Sequence, residues 1–162
     1  MLGAMNEAAP TAPWYLRIPP PIWTFALLAL AYGLQSSFDW AAAVYTRSPL
    51  FAILLSVFGL ALTVWGERQF AAVGTEILPA SPANKVLVTS GPFRFARNPM
   101  YFGLISVTAG IALYFGTAPF YAVPLLLFLL VNTLFIPFEE AKMQRQHGAS
   151  YTEYRARVRR WL

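Results

Sequence analysis

The sequence predicts an all-α integral membrane protein with four transmembrane helices, at about 20–37, 49–70, 99–115 and 118–138. Three observations carry that prediction. The 162-residue chain is 57% hydrophobic and only 12% charged, about half the charge of an ordinary soluble domain, too little to build a water-facing shell. Three long stretches hold no charge at all: Ile18 to Phe38, Ser48 to Gly66 and Asn98 to Phe138. Eleven of the twelve basic residues fall on one side of a four-span arrangement, and Arg47 alone falls on the other.

Residues 1–19 read as a tail leading into a retained first helix, not as a cleavable signal, because they lack a positive leading region and their prolines precede the apolar segment. Trp14, Tyr15 and Trp23 suit the headgroup level. The first two charge-free stretches, of 21 and 19 residues, are each one span long, since about 20 residues at 1.5 Å rise cross the hydrocarbon. The third, of 41 residues, is broken by "GTAP" at 116–119 and becomes two spans joined by a tight turn. By the positive-inside rule both termini and the 67–97 segment lie in the cytoplasm.

Between the second and third spans, residues 74–98 form a turn-rich loop with a β-like run at Val86–Val88; so long a loop is more often functional than idle. It ends in "GPFRFARNPMY", where Pro99 fits the first turn of a helix and Asn98 its N-cap. The N-terminus of that helix offers free N–H groups and partial positive charge to a carboxylate or phosphate, with Arg94, Arg97 and Tyr101 close in sequence. Residues 139–162 form a polar C-terminal segment. Its Tyr151, Tyr154, Val158 and Trp161 line one face of an amphipathic helix that lies on the membrane or caps a cytoplasmic cavity. Glu139 and Glu140 open it, facing the arginines if the topology holds. Two acids and several bases on one face suit a zwitterionic ligand with a cationic centre. The whole chain, 1–162, reads as one domain.

Several function classes drop out. With no cysteine there is no thiolate nucleophile or disulfide framework. No Gly-x-Gly-x-x-Gly or P-loop is present. The single His147 has no neighbouring cysteine, so no metal site is expected. The net charge of +5 gathers near membrane ends, which points to anionic lipid and not to nucleic acid.

Two stretches carry a family resemblance. "LVTSGPFRFARNPMYFG", Leu87 to Gly103, is similar to the pattern Leu-Val-x-x-Gly-Pro-Tyr-x-x-x-Arg-His-Pro-x-Tyr-x-Gly of the isoprenylcysteine carboxyl methyltransferase and phospholipid methyltransferase superfamily. "EEAKMQRQHGASYTEYRARVRRW", Glu139 to Trp161, resembles its second element of Glu-Glu, Phe-Gly-x-x-Tyr-x-x-Tyr and Val-Pro-Arg. Together they cover about residues 55 to 162, with the first two helices alike only in hydropathy. The resemblance implies S-adenosylmethionine-dependent methyl transfer to a lipophilic or small acceptor at the cytoplasmic membrane face. It implies a cofactor pocket lined by Gly91, Asn98, Pro99, Met100, Tyr101, Gly103 and Ser106. The N-terminus of the third helix together with Arg94 and Arg97 would hold the methionine carboxylate, Glu139 or Glu140 the amino group or ribose, and Arg160 matches the arginine after Val-Pro. Glu139, Glu140 and Asn98 are the candidate catalytic residues.

Three positions depart from the family pattern. Asn98 stands for the usual histidine and cannot act as a base near neutral pH; the intact surroundings resemble a bacterial branch, hence a bacterial inner membrane. His147 stands for Phe and Arg159 for Pro. The last membrane helix also lacks the arginine that isoprenylcysteine enzymes use for the substrate carboxylate, having only Asn132 and Thr133 as strongly polar side chains. The other reading, favoured by Asn98, is a catalytically silent membrane scaffold or ligand-binding protein of the same fold.

Overall fold

The computed structural model describes residues 13–38, 47–74 and 86–162. Residues 75–85 of the 74–98 loop, with Lys85 and Glu76, lie outside the described residues, as does most of the 1–19 tail. The described chain is helical throughout, with no β-strand. Its elements are a 3-10 turn at Trp14–Arg17, α1 (Pro20–Ser37), α2 (Pro49–Ala72), a 3-10 turn at Gly91–Arg94, α3 (Pro99–Phe115), α4 (Ala118–Leu130), a π-helical turn (Val131–Phe135) and α5 (Ile136–Arg157). Val86–Val88 is irregular, so the β-like run there is not a strand; the described residues supply it with no ladder partner.

Proline starts every one of these helices, at the first or second position. There the missing N–H is one that the helix leaves unpaired anyway, and φ is already helical. Gly116 ends α3 in the left-handed region (φ 71°), with its N–H donating to Ala112 O at 2.7 Å, a glycine C-terminal stop. Thr117 then takes the N-cap position of α4, its hydroxyl donating to Gln35 Oε1 and not to the helix, so α3 and α4 form a tight hairpin.

The C-terminal half departs from the expected break at 138. α4, the π turn and α5 run on as one helix from Ala118 to Arg157. Pro137 explains the π turn. It has no N–H for the carbonyl of Thr133 and its ring crowds that carbonyl, and the helix widens, with Ile136 N–H donating to Val131 O. A second break comes at Gly148 (φ 51°, ψ −120°), bridged by Gln144 Nε2, which donates to Gly148 O (3.1 Å) and Thr152 Oγ1 (3.0 Å). The helix stops at Arg157, so Val158 and Trp161 are not on the helical face with Tyr151 and Tyr154. Residues 158–162 form an extended strap.

Glycine sets the closest contact in the fold. α2 and α3 approach so tightly that a Cβ on Gly103 would lie 2.5 Å from Gly59 O, and one on Gly110 2.7 Å from Ala52 O. α1 packs on α4, and Ala31 of α1, Ala112 of α3, and Phe120 and Val123 of α4 form one buried cluster. A second cluster, Leu16, Leu127, Val131, Phe135 and Ile136, lies under the site. The outward faces stay apolar: Phe25, Leu50, Phe51, Val57 and Leu125 are all exposed. Two helices, Pro49–Ala72 and Ala118–Arg157, are long and apolar enough to cross a membrane, and only 22% of the most apolar window of the first is buried inside the molecule. A face so apolar and so little covered by protein is suited to lipid. α3, with 17 residues, is a shorter apolar helix.

Candidate functional site

The first turn of α3, the 3-10 turn before it, the inner end of α2 and the start of α5 enclose a cavity of about 330 Å³, within the size range of small-molecule sites. Arg97, Asn98, Pro99, Met100, Tyr101, Glu139 and Glu140 all line it. Two segments 38 or more residues apart in sequence thus meet at one place.

The polar groups are closely tied. Arg97 donates from Nε (3.3 Å) and Nη2 (2.6 Å) to Glu140 Oε1, and from Nη1 to Val158 O at 2.6 Å. Arg160 grips the same carboxylate through Nη2 to Oε2 at 2.7 Å. The Arg97 and Glu140 side chains are only 9% and 11% exposed, which makes this a largely buried pair. Burial alone would raise the Glu140 carboxyl, but the hydrogen bonds from Arg160 and Arg97 outweigh it and hold the group below the usual carboxylate range. Glu139, next along the helix, behaves oppositely. Burial pushes it up to about 7, and Glu140 adds to that, against the hydrogen bond from Tyr101 and the charge of Lys142. Tyr101 Oη donates to Glu139 Oε1 at 2.6 Å.

The strap closes the site. Arg97 N–H donates to Arg159 O at 2.8 Å, Asn98 Nδ2 to Arg160 O at 3.1 Å, and Trp161 Nε1 to Asn132 Oδ1 at 3.1 Å. Tyr154 Oη donates to Phe93 O at 2.8 Å, and burial raises that phenol well above its ordinary value. Tyr151 and Tyr154 therefore cover the cavity from the C-terminal side of the Gly148 break.

The expected residues divide into groups. Asn98 occupies the N-cap position but its side chain caps nothing; it holds the strap instead, and the α3 amides of Met100 and Tyr101 have no side-chain cap. The Arg97 guanidinium lines the cavity and is tied to Glu140 and Val158. Arg160 does not line the cavity; its guanidinium binds Glu140 and its carbonyl accepts from Asn98. Gly103 and Ser106 lie off the cavity, in the α2–α3 packing face, where Ser106 Oγ donates to Phe102 O. Gly91 also lies off it, with φ 58° and a Cβ position 2.6 Å from Gln69 Cδ; it lets the loop close on α2, to which Ser90 Oγ is bonded through Gln69 Oε1. Arg94 is exposed and lies off the cavity.

Other lining residues escaped the sequence reading. α2 contributes Thr63, Glu67 and Phe70, and the segment before α1 contributes Pro19. The signal for Glu67 was present: it is the first charge after a charge-free run, as Glu139 is after another. Phe70 meets Phe93 edge to face at 5.4 Å, closing the aromatic wall.

A family model described as phospholipid methyltransferase matches residues 48–150. That match takes in α2, α3, α4 and both acids, and stops short of the strap. Neither the curated proteins nor the solved structures contain a match to the chain.

Proposed function

The chain belongs to the phospholipid methyltransferase family, and from that premise we propose that it transfers a methyl group from S-adenosylmethionine to a lipophilic or small acceptor at the cytoplasmic face of a membrane. The observation that carries the proposal is the convergence of the α3 N-terminus, the Tyr101–Glu139 pair and Glu140 on one cavity. The lining can meet a cationic group: Glu140 is held by the guanidiniums of Arg97 and Arg160, while Glu139 keeps one oxygen free of any guanidinium.

The bound donor supplies an already activated methyl group, so the protein's task is alignment and exclusion of water. The uncapped amides of Met100 and Tyr101, at the positive end of α3, are the groups left to receive the methionine carboxylate. Glu139, with one oxygen on Tyr101, has accepting capacity left for the amino group or ribose. Phe70, Phe93 and Tyr101 offer faces and edges to the adenine. Arg97, Arg160 and Asn98 hold Glu140 and the strap in place around it, and act as positioning residues.

Four spans with both termini cytoplasmic accord with the basic-residue asymmetry, with α1 and α3 crossing beside the two longer helices. In that arrangement residues 1–162 form one membrane domain, and the acceptor arrives from the bilayer. Isothermal titration of the purified full chain with S-adenosylmethionine and with its demethylated product tests the reading. Micromolar binding of both is expected; no binding at millimolar levels would sink it.

A further inference from the structure

Glu67 is a carboxylate for which donor binding has no use. It lies one helical turn from Thr63 and from Phe70, and all three line the cavity from α2. The other two acids are engaged, Glu139 by the Tyr101 hydroxyl and Glu140 by two guanidiniums. Among the described residues Glu67 has no hydrogen bond and no ion pair. It is exposed, whereas Asn98 across the cavity is buried, so Glu67 stands at the open side. It also follows Gly66, the last residue of a charge-free run, as Glu139 follows Phe138. Both acids therefore come where an apolar segment gives way to water, the depth at which an acceptor anchored by its tail keeps its polar head.

We propose that Glu67 is the acceptor-facing carboxylate of the cavity, taking a proton from an acceptor head group that bears N–H or S–H and turning away a carboxylate head. The proposal rests on the methyl-donor reading above. A carboxylate acceptor would meet like charge on the lining and has no hydrogen to give at neutral pH. An ammonium or a thiol meets an unengaged acceptor oxygen. The step balances: the proton passes from nitrogen or sulfur to Glu67, and the freed lone pair forms the bond to the methyl carbon. The bond from that carbon to the sulfonium sulfur breaks, leaving its electron pair on sulfur.

Three probes share a twelve-carbon tail and differ in head: dodecylamine, dodecanethiol and dodecanoate. Each is given to the detergent-solubilised full chain with radiolabelled S-adenosylmethionine. Label is expected in the amine or the thiol and not in dodecanoate. Glu67→Gln is expected to lower that transfer about 100-fold, the scale of a lost general base, with S-adenosylmethionine affinity held within about threefold and part of the rate recovered in Glu67→Asp. Retained donor affinity also shows that the variant is folded. Label in dodecanoate, label in none of the three heads, or undiminished transfer by Glu67→Gln overturns the assignment. Donor affinity lost together with transfer overturns it too, and makes Glu67 a donor-binding residue. A wild-type chain that binds no donor fails the methyl-donor reading itself, and the acceptor role with it.

Discussion

Glu140 is shared between two arginines, and each arginine also anchors a different part of the chain. Replacing Arg97 by lysine keeps the charge but loses the planar fork, leaving Val158 O or one Glu140 oxygen unpaired in a largely buried place. A loss on the order of 2 kcal/mol is expected, read as a lowered thermal midpoint in detergent. Glu139 yields a pH dependence. Its carboxyl is raised to about 7, so it is mostly protonated at pH 6 and mostly ionised at pH 8. If the ionised form holds the donor's amino group, donor affinity rises with pH by about tenfold over that interval, and Glu139→Gln flattens the profile. Titration calorimetry at pH 6, 7 and 8 makes the comparison; an affinity that falls with rising pH contradicts the role. The sequence motifs located seven of the cavity's lining residues, because turn-forming and acidic residues are conspicuous in a greasy chain. They did not show what each side chain holds. Asn98 reads as a cap, and its side chain anchors the strap; Arg97, read from the sequence as a ligand contact, is also tied to Glu140 and Val158. Which partner a donor takes depends on the fold around it, here on residues 60 or so positions downstream.

At the scale of elements, the starts of helices were the most legible feature. A proline in the first turn marks each one, and α1 and α3 run as expected, over Pro20–Ser37 and Pro99–Phe115. The ends were less legible. The composition shift at Glu139 looked like a boundary, yet helical hydrogen bonding continues through it, since polar residues propagate a helix as well as apolar ones. The closeness of α2 and α3 was also hidden, because a glycine in an apolar run does not announce what faces it. Gly103→Ala is expected to cost about 1–3 kcal/mol, because its methyl would press on the Gly59 carbonyl, which is backbone and cannot yield. Gly66→Ala is expected to cost less, since the obstacle there is the Met100 side chain. Thermal midpoints of the two variants in one detergent check the order, and equal losses would contradict it.

For the molecule as a whole, the proposed four-span topology makes a prediction that the absence of cysteine renders simple to test. Single cysteines at Asp39 and at Leu162 should react with a membrane-impermeant maleimide from opposite sides of sealed vesicles. Labelling of both from one side would require an odd change in the number of crossings between them. In the proposed arrangement the cavity lies where two of the longest apolar runs end, so that a water-borne donor and a lipid-borne acceptor would reach it by different routes.

The π turn at Val131–Phe135 bears on how tolerant this helix is to changes in length. A regular helix rotates each successive residue by about 100°, so a one-residue deletion normally swings everything beyond it to another face. A π turn is in effect one residue more than the helix needs. Removing the exposed Leu134 together with the change Pro137→Ala, which restores the missing N–H, would let the widened turn close into ordinary α-helix with little change of phase, leaving Glu139 and Glu140 aimed at the cavity. Removing Leu126 from the regular part of α4 would rotate both acids away. Donor binding should survive the first deletion and vanish in the second. The widened turn is then a place where the chain can shorten by one residue and keep its site in register.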